Sequence, residues 1–191
     1  MSTHFFVIKS PPINFSNNEL YNPDFSFGEA SQAIKAISDT FFLSNEFRHT
    51  HTLYFLTEYL SKSYIITFEG TKIRYLGPSS YSSTHLLLRA IKNITDPFSK
   101  KGKLTPGIKV KQASIRWIQE KHEKDCWIRV IESPKIDRPS FNFSLNSSIV
   151  WFFGYTKSKS ESIVFTDTIS WGLSDIDEQI ILTNHFIDGV N

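Results

Sequence analysis

Short apolar runs alternate along this chain with longer segments in which apolar residues recur at helical spacing. The apolar runs are rich in β-branched and aromatic residues and predict strands at Phe5–Ile8, Thr52–Thr57, Tyr64–Phe68, Lys72–Leu76 and Trp127–Ile131. The helical spacing predicts helices at Glu29–Phe42, Ser79–Ile94, Ile115–Lys121 and Asp175–Phe186. Because strands and helices alternate, the pattern indicates an α/β fold with a parallel or mixed sheet.

Two further strand-like runs near the C-terminus each end in a glycine. The run that begins at Ile149 meets Gly154, and the run that begins at Ile163 meets Gly172. In open α/β sheets, ligands bind at the carboxyl ends of strands, where glycine lets the backbone approach them closely. The two glycines are therefore predicted to border one pocket, and the alternative interpretation is a pair of ordinary turns.

Length and composition fit a single domain over residues 1–191 with a large core. The chain contains no apolar run long enough to span a membrane, and its first residues do not resemble a signal peptide. Cys126 is its only cysteine, which excludes an internal disulfide and fits a reducing compartment. We therefore expect a cytoplasmic protein.

Motifs for several common kinds of chemistry are absent from the sequence. The six histidines are scattered, and although His49 and His51 could share one side of a strand, no cysteine or carboxylate accompanies them at metal-ligand spacing. The chain also lacks the serine-nucleophile elbow, the phosphate-binding loop of nucleotide hydrolases and the glycine-rich dinucleotide turn. No metal site and no chemistry of these types is expected.

Lysines concentrate in the middle of the chain, although the formal net charge is only +2. Between positions 92 and 111, Asp96 is the sole acidic residue. The lysines of this stretch are Lys92, Lys100, Lys101, Lys103, Lys109 and Lys111. Such a cluster could neutralise the phosphates of a nucleic acid, and the alternative is a solvated surface that serves solubility.

Several blocks of the sequence, in order and over nearly its full length, resemble a known family. Residues 38–44 (S-D-T-F-F-L-S), followed by Arg48, resemble a helix end with the family motif A-F-F-L-S-H-x-x-R. Residues 104–110 (L-T-P-G-I-K-V) are similar to its S-P-G-I-Y-V motif, and residues 169–173 (I-S-W-G-L) to its I-S-L-G-P-L loop. The family is that of archaeal SPOUT-superfamily methyltransferases, which act on N1 of the T-loop pseudouridine in tRNA.

The resemblance implies a SPOUT-like sheet with a deep trefoil knot at the C-terminus, a homodimer, and S-adenosylmethionine as the methyl donor. Carried over by position, the cofactor-binding residues would be Ile131, Gly154, Ile169, Ser170, Trp171, Gly172 and Leu173. The implied reaction transfers a methyl group to N1 of a pseudouridine in tRNA. Arg48 would be the catalytic cation that stabilises developing negative charge or grips a phosphate, and the alternative is an exposed arginine after a helix.

The sequence departs from the family mainly in polar positions. The segment Gly28–Ser31 lacks the family's arginine and aspartate, Pro78–Tyr81 lacks another arginine, and Gln179 replaces a cysteine of the last helix. RNA contacts are then expected from Lys100, Lys101, Lys103, Lys109 and Lys111. The alternative function is a catalytically inactive, dimeric RNA-binding or interaction module, which cofactor binding would distinguish from an enzyme.

Overall fold

A computed structural model describes residues 3–9, 29–43, 46–98, 103–133, 136–137, 148–154 and 163–190 of the chain. The helices in these ranges are α1 (Glu29–Phe41), α2 (Ser80–Thr95), α3 (Ile115–Lys121) and α4 (Ile176–Val190). The strands are β1 (Thr3–Lys9), β2 (Phe42–Leu43), β3 (Glu46–Phe47), β4 (His51–Tyr59), β5 (Lys62–Glu69), β6 (Ile108–Gln112), β7 (Cys126–Val130), β8 (Ile136–Asp137), β9 (Ser148–Phe153) and β10 (Asp167–Trp171).

Eight of these strands form one mixed sheet with the order β6-β5-β4-β1-β9-β7-β10-β8. Its centre, from β4 to β10, is parallel throughout. Antiparallel pairing adds β5 and β6 at one edge and the two-residue β8 at the other. The expectation of an α/β fold with a mixed sheet is confirmed.

Both faces of the sheet are buried, which explains the nearly continuous apolar runs of the central strands. Phe6 and Ile8 of β1 point to the face covered by α1, α2 and α4, which we call the helical face. Val7 between them points to the opposite face, where α3 contributes Ile115 and Ile118, and which we call the α3 face. Successive residues of a strand point to opposite faces, so each central strand contributes to both cores.

The helices lie close to their expected positions. α3 has the predicted bounds, α1 ends one residue early, and α2 is shifted by one residue at both ends. α4 begins one residue late and continues to Val190. In α2, the buried residues Leu86, Leu87, Ala90 and Ile91 face the sheet at the spacing that the sequence shows. In the part of the chain that the structure describes, no helix combines the length and apolarity needed to cross a membrane.

The predicted strand at Lys72–Leu76 is wrong. The chain turns there instead, because the backbone N–H groups of Lys72 and Ile73 both donate to the carbonyl of Glu69 at the end of β5. Tyr75 has a left-handed φ of 67°, which no strand residue adopts. The apolar residues of this segment contact the main core from the turn, and the true neighbour of β5 is β6.

The strand β6 is missing from the expectations. Its sequence, I-K-V-K-Q, alternates apolar and charged residues at the edge of the sheet. Gly107, which precedes it, has φ +85°, and a Cβ there would lie 2.3 Å from the backbone of Ile73. Thr105–Gly107 form a turn, and it brings the chain back against the turn after β5.

Candidate functional site

A cleft of about 680 Å³ opens at the carboxyl ends of the central parallel strands. Its walls are formed by residues in or directly after β1, β7, β9 and β10, and by the start of α4. Residues on these walls include Lys9, Arg129, Ile131, Glu132, Gly154 and Gln179. The volume lies in the range of sites that bind small molecules and cofactors.

The strand order explains why the cleft lies here. β1 leads through α1 to β4, on one side of it, whereas its neighbour β9 leads to β10 on the other side. When the connections of two adjacent parallel strands leave in opposite directions, a crevice forms at their carboxyl ends. Lys9 and Gly154 lie at the ends of these two strands and line the cleft.

The backbone conformation at position 154 requires a glycine. Its φ of +122° is rarely adopted by residues with a side chain, and a Cβ would lie 3.0 Å from the carbonyl oxygen of Lys9. The chain therefore bends at Gly154, directly beside the end of β1. The glycine signal in the sequence marks a wall of the cleft, but the contact that excludes a side chain is with Lys9.

The second glycine-ended segment, residues 169–173, supports the cleft from behind. Ile169, Ser170 and Trp171 are buried, and the carbonyl of Ile169 accepts a hydrogen bond of 2.9 Å from the N–H of Ile131. The indole N–H of Trp171 donates to Thr183 of α4 over 2.9 Å. These contacts tie the end of β10 to the segment after β7 and to α4, which are two walls of the cleft.

A turn follows at Gly172 and Leu173. Gly172 has φ +78°, and its N–H donates to the hydroxyl of Ser170, which itself donates to the carbonyl of Ser133. The side-chain amide of Gln179 donates to the carbonyl of Leu173 over 2.8 Å and so holds the turn against α4. Of the seven predicted cofactor-binding residues, Ile131 and Gly154 are on the cleft wall, and the other five form its support.

Three charged residues on the cleft walls were not predicted from the sequence. Lys9 ends β1, Arg129 lies in β7, and Glu132 follows β7. The guanidinium carbon of Arg129 is 5.7 Å from the centre of the Phe165 ring. The sequence signal that could have identified Arg129 is a basic residue inside the otherwise apolar run of β7. Cations can bind a carboxylate or phosphate, and a carboxylate can accept hydrogen bonds from sugar hydroxyls.

Arg48 lies at the opposite end of the sheet. Its guanidinium makes two hydrogen bonds, of 2.8 Å and 2.5 Å, to the two carboxylate oxygens of Asp188 near the end of α4. The neighbouring groups include His4 and His51, which are at the amino-terminal ends of β1 and β4. His4 is five residues before Lys9, or about 16 Å along the strand. Within one chain, Arg48 is therefore remote from the cleft.

The two histidines beside Arg48 are buried and neutral. Burial, with Arg48 as the next cause, lowers the pKa of His4 to about 4. Burial also lowers the pKa of His51 to about 3, although its Nδ1–H donates to the carbonyl of Thr40 over 2.9 Å. The hydrogen bonds from Arg48 lower the pKa of Asp188. This end of the sheet holds a fixed arginine–carboxylate pair against uncharged imidazoles.

The predicted RNA-binding lysines are distributed unevenly. Lys100 and Lys101 lie outside the described residues, and Lys103 is exposed. Lys109 and Lys111 project from β6, at the sheet edge away from β10.

In the part of the chain that the structure describes, no group of three or more histidines, cysteines and carboxylates could hold a metal ion. No protein-family model matches the chain, and no curated protein sequence shows significant similarity to it. The candidate function therefore depends on the residues of the cleft and on the motif resemblance.

Proposed function

We propose that this protein is an S-adenosylmethionine-dependent RNA methyltransferase that modifies N1 of a pseudouridine in tRNA. The observation that carries the proposal is the cleft at the diverging ends of β1 and β9, which includes Gly154 and Ile131 on its wall. The loop of residues 169–173, similar to the family's glycine loop, is fixed directly behind that wall. Cleft position and motif resemblance therefore point to the same part of the chain.

The residues of the cleft fit the cofactor chemically. Lys9 offers a cation for the carboxylate of its methionine part, and Glu132 offers an acceptor for ribose hydroxyls. Ile131 and Ile176 provide apolar surface for an adenine ring. Gly154 allows the end of β9 to lie directly beside the end of β1, which brings Lys9 to the same cleft wall.

The bound cofactor would supply a methyl group attached to a positively charged sulfur. The nitrogen N1 of pseudouridine is imide-like and must lose its proton as it attacks that methyl group. The protein would orient the base and stabilise the negative charge that develops on it. In this proposal Arg129, on the cleft wall, is better placed in one chain for that stabilisation than Arg48.

The C-terminal trefoil knot, the homodimer and a cytoplasmic location are part of the same proposal, since the family resemblance implies them or the sequence favours them. The connection from β9 to β10 passes through residues 155–162, which are outside the described part of the chain. In the proposed homodimer, the second subunit would bring its Arg48 to this cleft. In that case the pair with Asp188 would have to open.

An inactive RNA-binding module is the second candidate, and one observation favours it. Arg48, which the resemblance suggests as the catalytic cation, already has both terminal nitrogens on Asp188. Such a module needs no cofactor affinity. Binding of S-adenosylmethionine therefore separates the two functions.

The proposal is tested first by titration calorimetry of the purified protein with S-adenosylmethionine, and then by incubation with tRNA and methyl-labelled cofactor. We expect micromolar binding and a labelled N1-methylpseudouridine in the nucleoside digest. Cofactor binding with a different labelled nucleoside would keep the enzyme class and change the substrate. Absence of cofactor binding would overturn the methyltransferase assignment and favour the inactive module.

A further inference from the structure

On the α3 face, a cluster of lysines surrounds a single carboxylate and a tryptophan. Lys72 and Lys109 both pair with Glu69, the first at 3.0 Å. The ammonium of Lys111 is 4.2 Å from the centre of the Trp117 ring, and that of Lys121 is 5.3 Å from it. We call Lys72, Lys109, Lys111 and Lys121 the lysine cluster.

The members of the lysine cluster act on one another electrostatically. Lys109 and Lys111 are two residues apart on the same side of β6, which corresponds to about 7 Å. Because Lys111 and Lys121 contact the same ring, their ammonium nitrogens are within about 10 Å, the Debye length at 0.1 M salt. Burial lowers the pKa of Lys121, and Lys109, Lys72 and Lys111 lower it further, whereas Glu69 opposes them.

Each ammonium group of the cluster is held by a neighbour. Lys121 donates to the hydroxyl of the buried Tyr54 over 2.7 Å, and the Trp117 ring attracts Lys111 through a cation–π contact. Glu69 fixes the other two lysines, and although its burial opposes ionisation, they keep its pKa below the usual value. Ordered cations lose less side-chain entropy when an anion binds, so a pre-arranged cluster favours multivalent anions.

The pairing register connects the lysine cluster with the cleft. Lys111 of β6 is opposite Ile65, Ile65 is opposite Leu56, and Leu56 is opposite Lys9. Residues paired in this way point to the same face of a sheet, so Lys111 and Lys9 share the α3 face. Three strand spacings separate them, or roughly 14 Å.

We propose that the lysine cluster is a phosphate-contacting site for the RNA strand that enters the cleft, which rests on the proposed function. It adds Lys72 and Lys121 to the two predicted lysines of β6, and it places the contact beside Trp117. The lysine cluster and Lys9 are two separate groups of cations on one face, with the apolar residues Ile65 and Leu56 between them in the register. A ligand that carries phosphates along its length can contact both groups. Contacts of this kind read charge and strand position, and they carry little base specificity.

The test compares two variants, each of which lacks two positive charges of the wild type. Lys111→Gln/Lys121→Gln alters the lysine cluster, and Lys62→Gln/Arg89→Gln alters exposed or half-exposed cations of the helical face. Binding of a labelled single-stranded oligouridine is measured by fluorescence anisotropy at several salt concentrations. Loss of two phosphate contacts should lower the slope of log affinity against log salt by about 1.4, or roughly 25-fold in affinity at 0.1 M salt.

The control variant should keep the wild-type affinity and slope. Equal weakening of both variants, or unchanged binding by the cluster variant, would overturn the inference. Lys72→Gln/Lys109→Gln provides a second cluster variant, for which the same reduction is expected. A competition experiment compares polyglutamate with unlabelled oligouridine at equal concentrations of negative charge. If polyglutamate displaces the labelled RNA more effectively, the inference is contradicted, since the site would then prefer an acidic protein.

Titration with S-adenosylmethionine separates this inference from the proposed function. Both charge variants should bind the cofactor as the wild type does, because none of the altered residues lines the cleft. If wild-type protein binds no cofactor but the cluster variant still loses RNA affinity, the methyltransferase proposal fails and the RNA site remains. If the wild type binds the cofactor and the cluster variant keeps its RNA affinity, the RNA site fails and the methyltransferase proposal remains.

Discussion

The two ends of the parallel sheet are built from the same strands but differ in burial and in the arrangement of charged side chains. At the amino-terminal end, His4 and His51 are buried and uncharged, and Arg48 is paired with Asp188. At the carboxyl end, the strands and the residues that follow them surround a cleft of about 680 Å³, and charged side chains line its walls. The first end is a closed polar core, and the second is an open site.

α4 links the two ends. Its first turn contributes Ile176 and Gln179 to the cleft, and Asp188 near its last turn holds Arg48. The comparison shows that a positively charged residue in a matching motif is not by itself a site. What distinguishes Arg129 from Arg48 is the end of the sheet at which each side chain lies.

Acidification should have the largest effect, and it acts on the closed end. The pKa values of His4 and His51 are lower in the folded chain than in the unfolded chain, so their contribution to stability is complete above about pH 6.5 and is lost as the pH falls. At pH 5, the loss should be roughly 2 kcal/mol for each histidine, relative to pH 7.5. Urea unfolding at both pH values measures this difference.

His4→Gln/His51→Gln should flatten this dependence, whereas His85→Gln, at an exposed position of α2, should leave it unchanged. Asp39 acts in the opposite direction, because burial and then Asp177 raise its pKa to about 6. A wild-type stability that does not change between pH 7.5 and 5 would mean that the histidines are not buried as described.

At the open end, blocking the cleft should abolish cofactor binding without unfolding the protein. Ser174 is exposed and lines the cleft, so Ser174→Trp places an indole in the cleft without disturbing the core. We expect S-adenosylmethionine affinity to fall by roughly 100-fold or more, equivalent to about 2.7 kcal/mol. Titration calorimetry measures the affinity, and thermal unfolding measures the stability.

Thr71→Trp is the matched control, since it adds the same ring at an exposed turn away from the cleft. Its cofactor affinity should equal that of the wild type. If Ser174→Trp binds the cofactor normally, this cleft is not the cofactor site.

Removal of the arginine–carboxylate pair should be a stability effect of intermediate size. Asp188 is 45% exposed and Arg48 is 16% exposed, so solvent screening weakens the pair. Arg48→Ala should lower the free energy of unfolding by about 1–2 kcal/mol. Arg48→Lys should not restore it, because the single ammonium nitrogen of lysine cannot reproduce the planar, two-nitrogen geometry of the guanidinium. A double-mutant cycle with Asp188→Ala isolates the coupling.

The same variant tests the predicted catalytic role of Arg48. If Arg48 only stabilises the fold, Arg48→Ala should leave cofactor affinity unchanged. Loss of methyl transfer, with the free energy of unfolding at the wild-type value, would show that the arginine takes part in the reaction across a subunit interface.

The smallest effect is expected in the contact between α1 and α4, which lies between the two ends. Asp39 is half-buried, and its raised pKa shows that the folded protein favours its neutral form. The stability that it contributes is present below about pH 4 and is lost as the pH rises through about 6. Asp39→Asn should therefore stabilise the protein at pH 7.5 by about 1 kcal/mol, or about 2–4 °C in Tm.

At pH 4, the stabilisation should disappear, and thermal unfolding of the variant at both pH values measures the change. Asp175→Asn, at an exposed residue just before α4, is the control and should not stabilise the protein at pH 7.5. A destabilised Asp39→Asn at pH 7.5 would contradict the sign of the pKa shift.

Most of the elements were predictable from the sequence, because strands and helices have local signatures. The apolar spacing that predicts α2 and α3 also describes their buried residues. The errors have local causes as well. The segment at Lys72–Leu76 is as apolar as a strand but turns back onto Glu69, and β6 alternates with lysines at a sheet edge.

The candidate site was predictable in part. Gly154 on the cleft wall and Gly172 in the supporting loop were predicted because glycine-ended strands have a recognisable pattern. Ile131 and the other residues of segment 169–173 were expected only from the family resemblance. Glu132 and Lys9 could not be recognised, since a single charged residue at a strand end has no distinctive signature. Their role depends on the strand order, which brings the ends of β1, β7 and β9 together.

By itself, the sequence determined the α/β class, the approximate bounds of most helices and strands, and the two places where glycine ends an apolar run. Only the tertiary structure decided which side chains meet. Arg48 and Asp188 are 140 residues apart in the chain, yet they form a bidentate pair at the closed end of the sheet. Periodicity reports the environment of a residue a few positions at a time, whereas strand order is decided by packing over the whole chain.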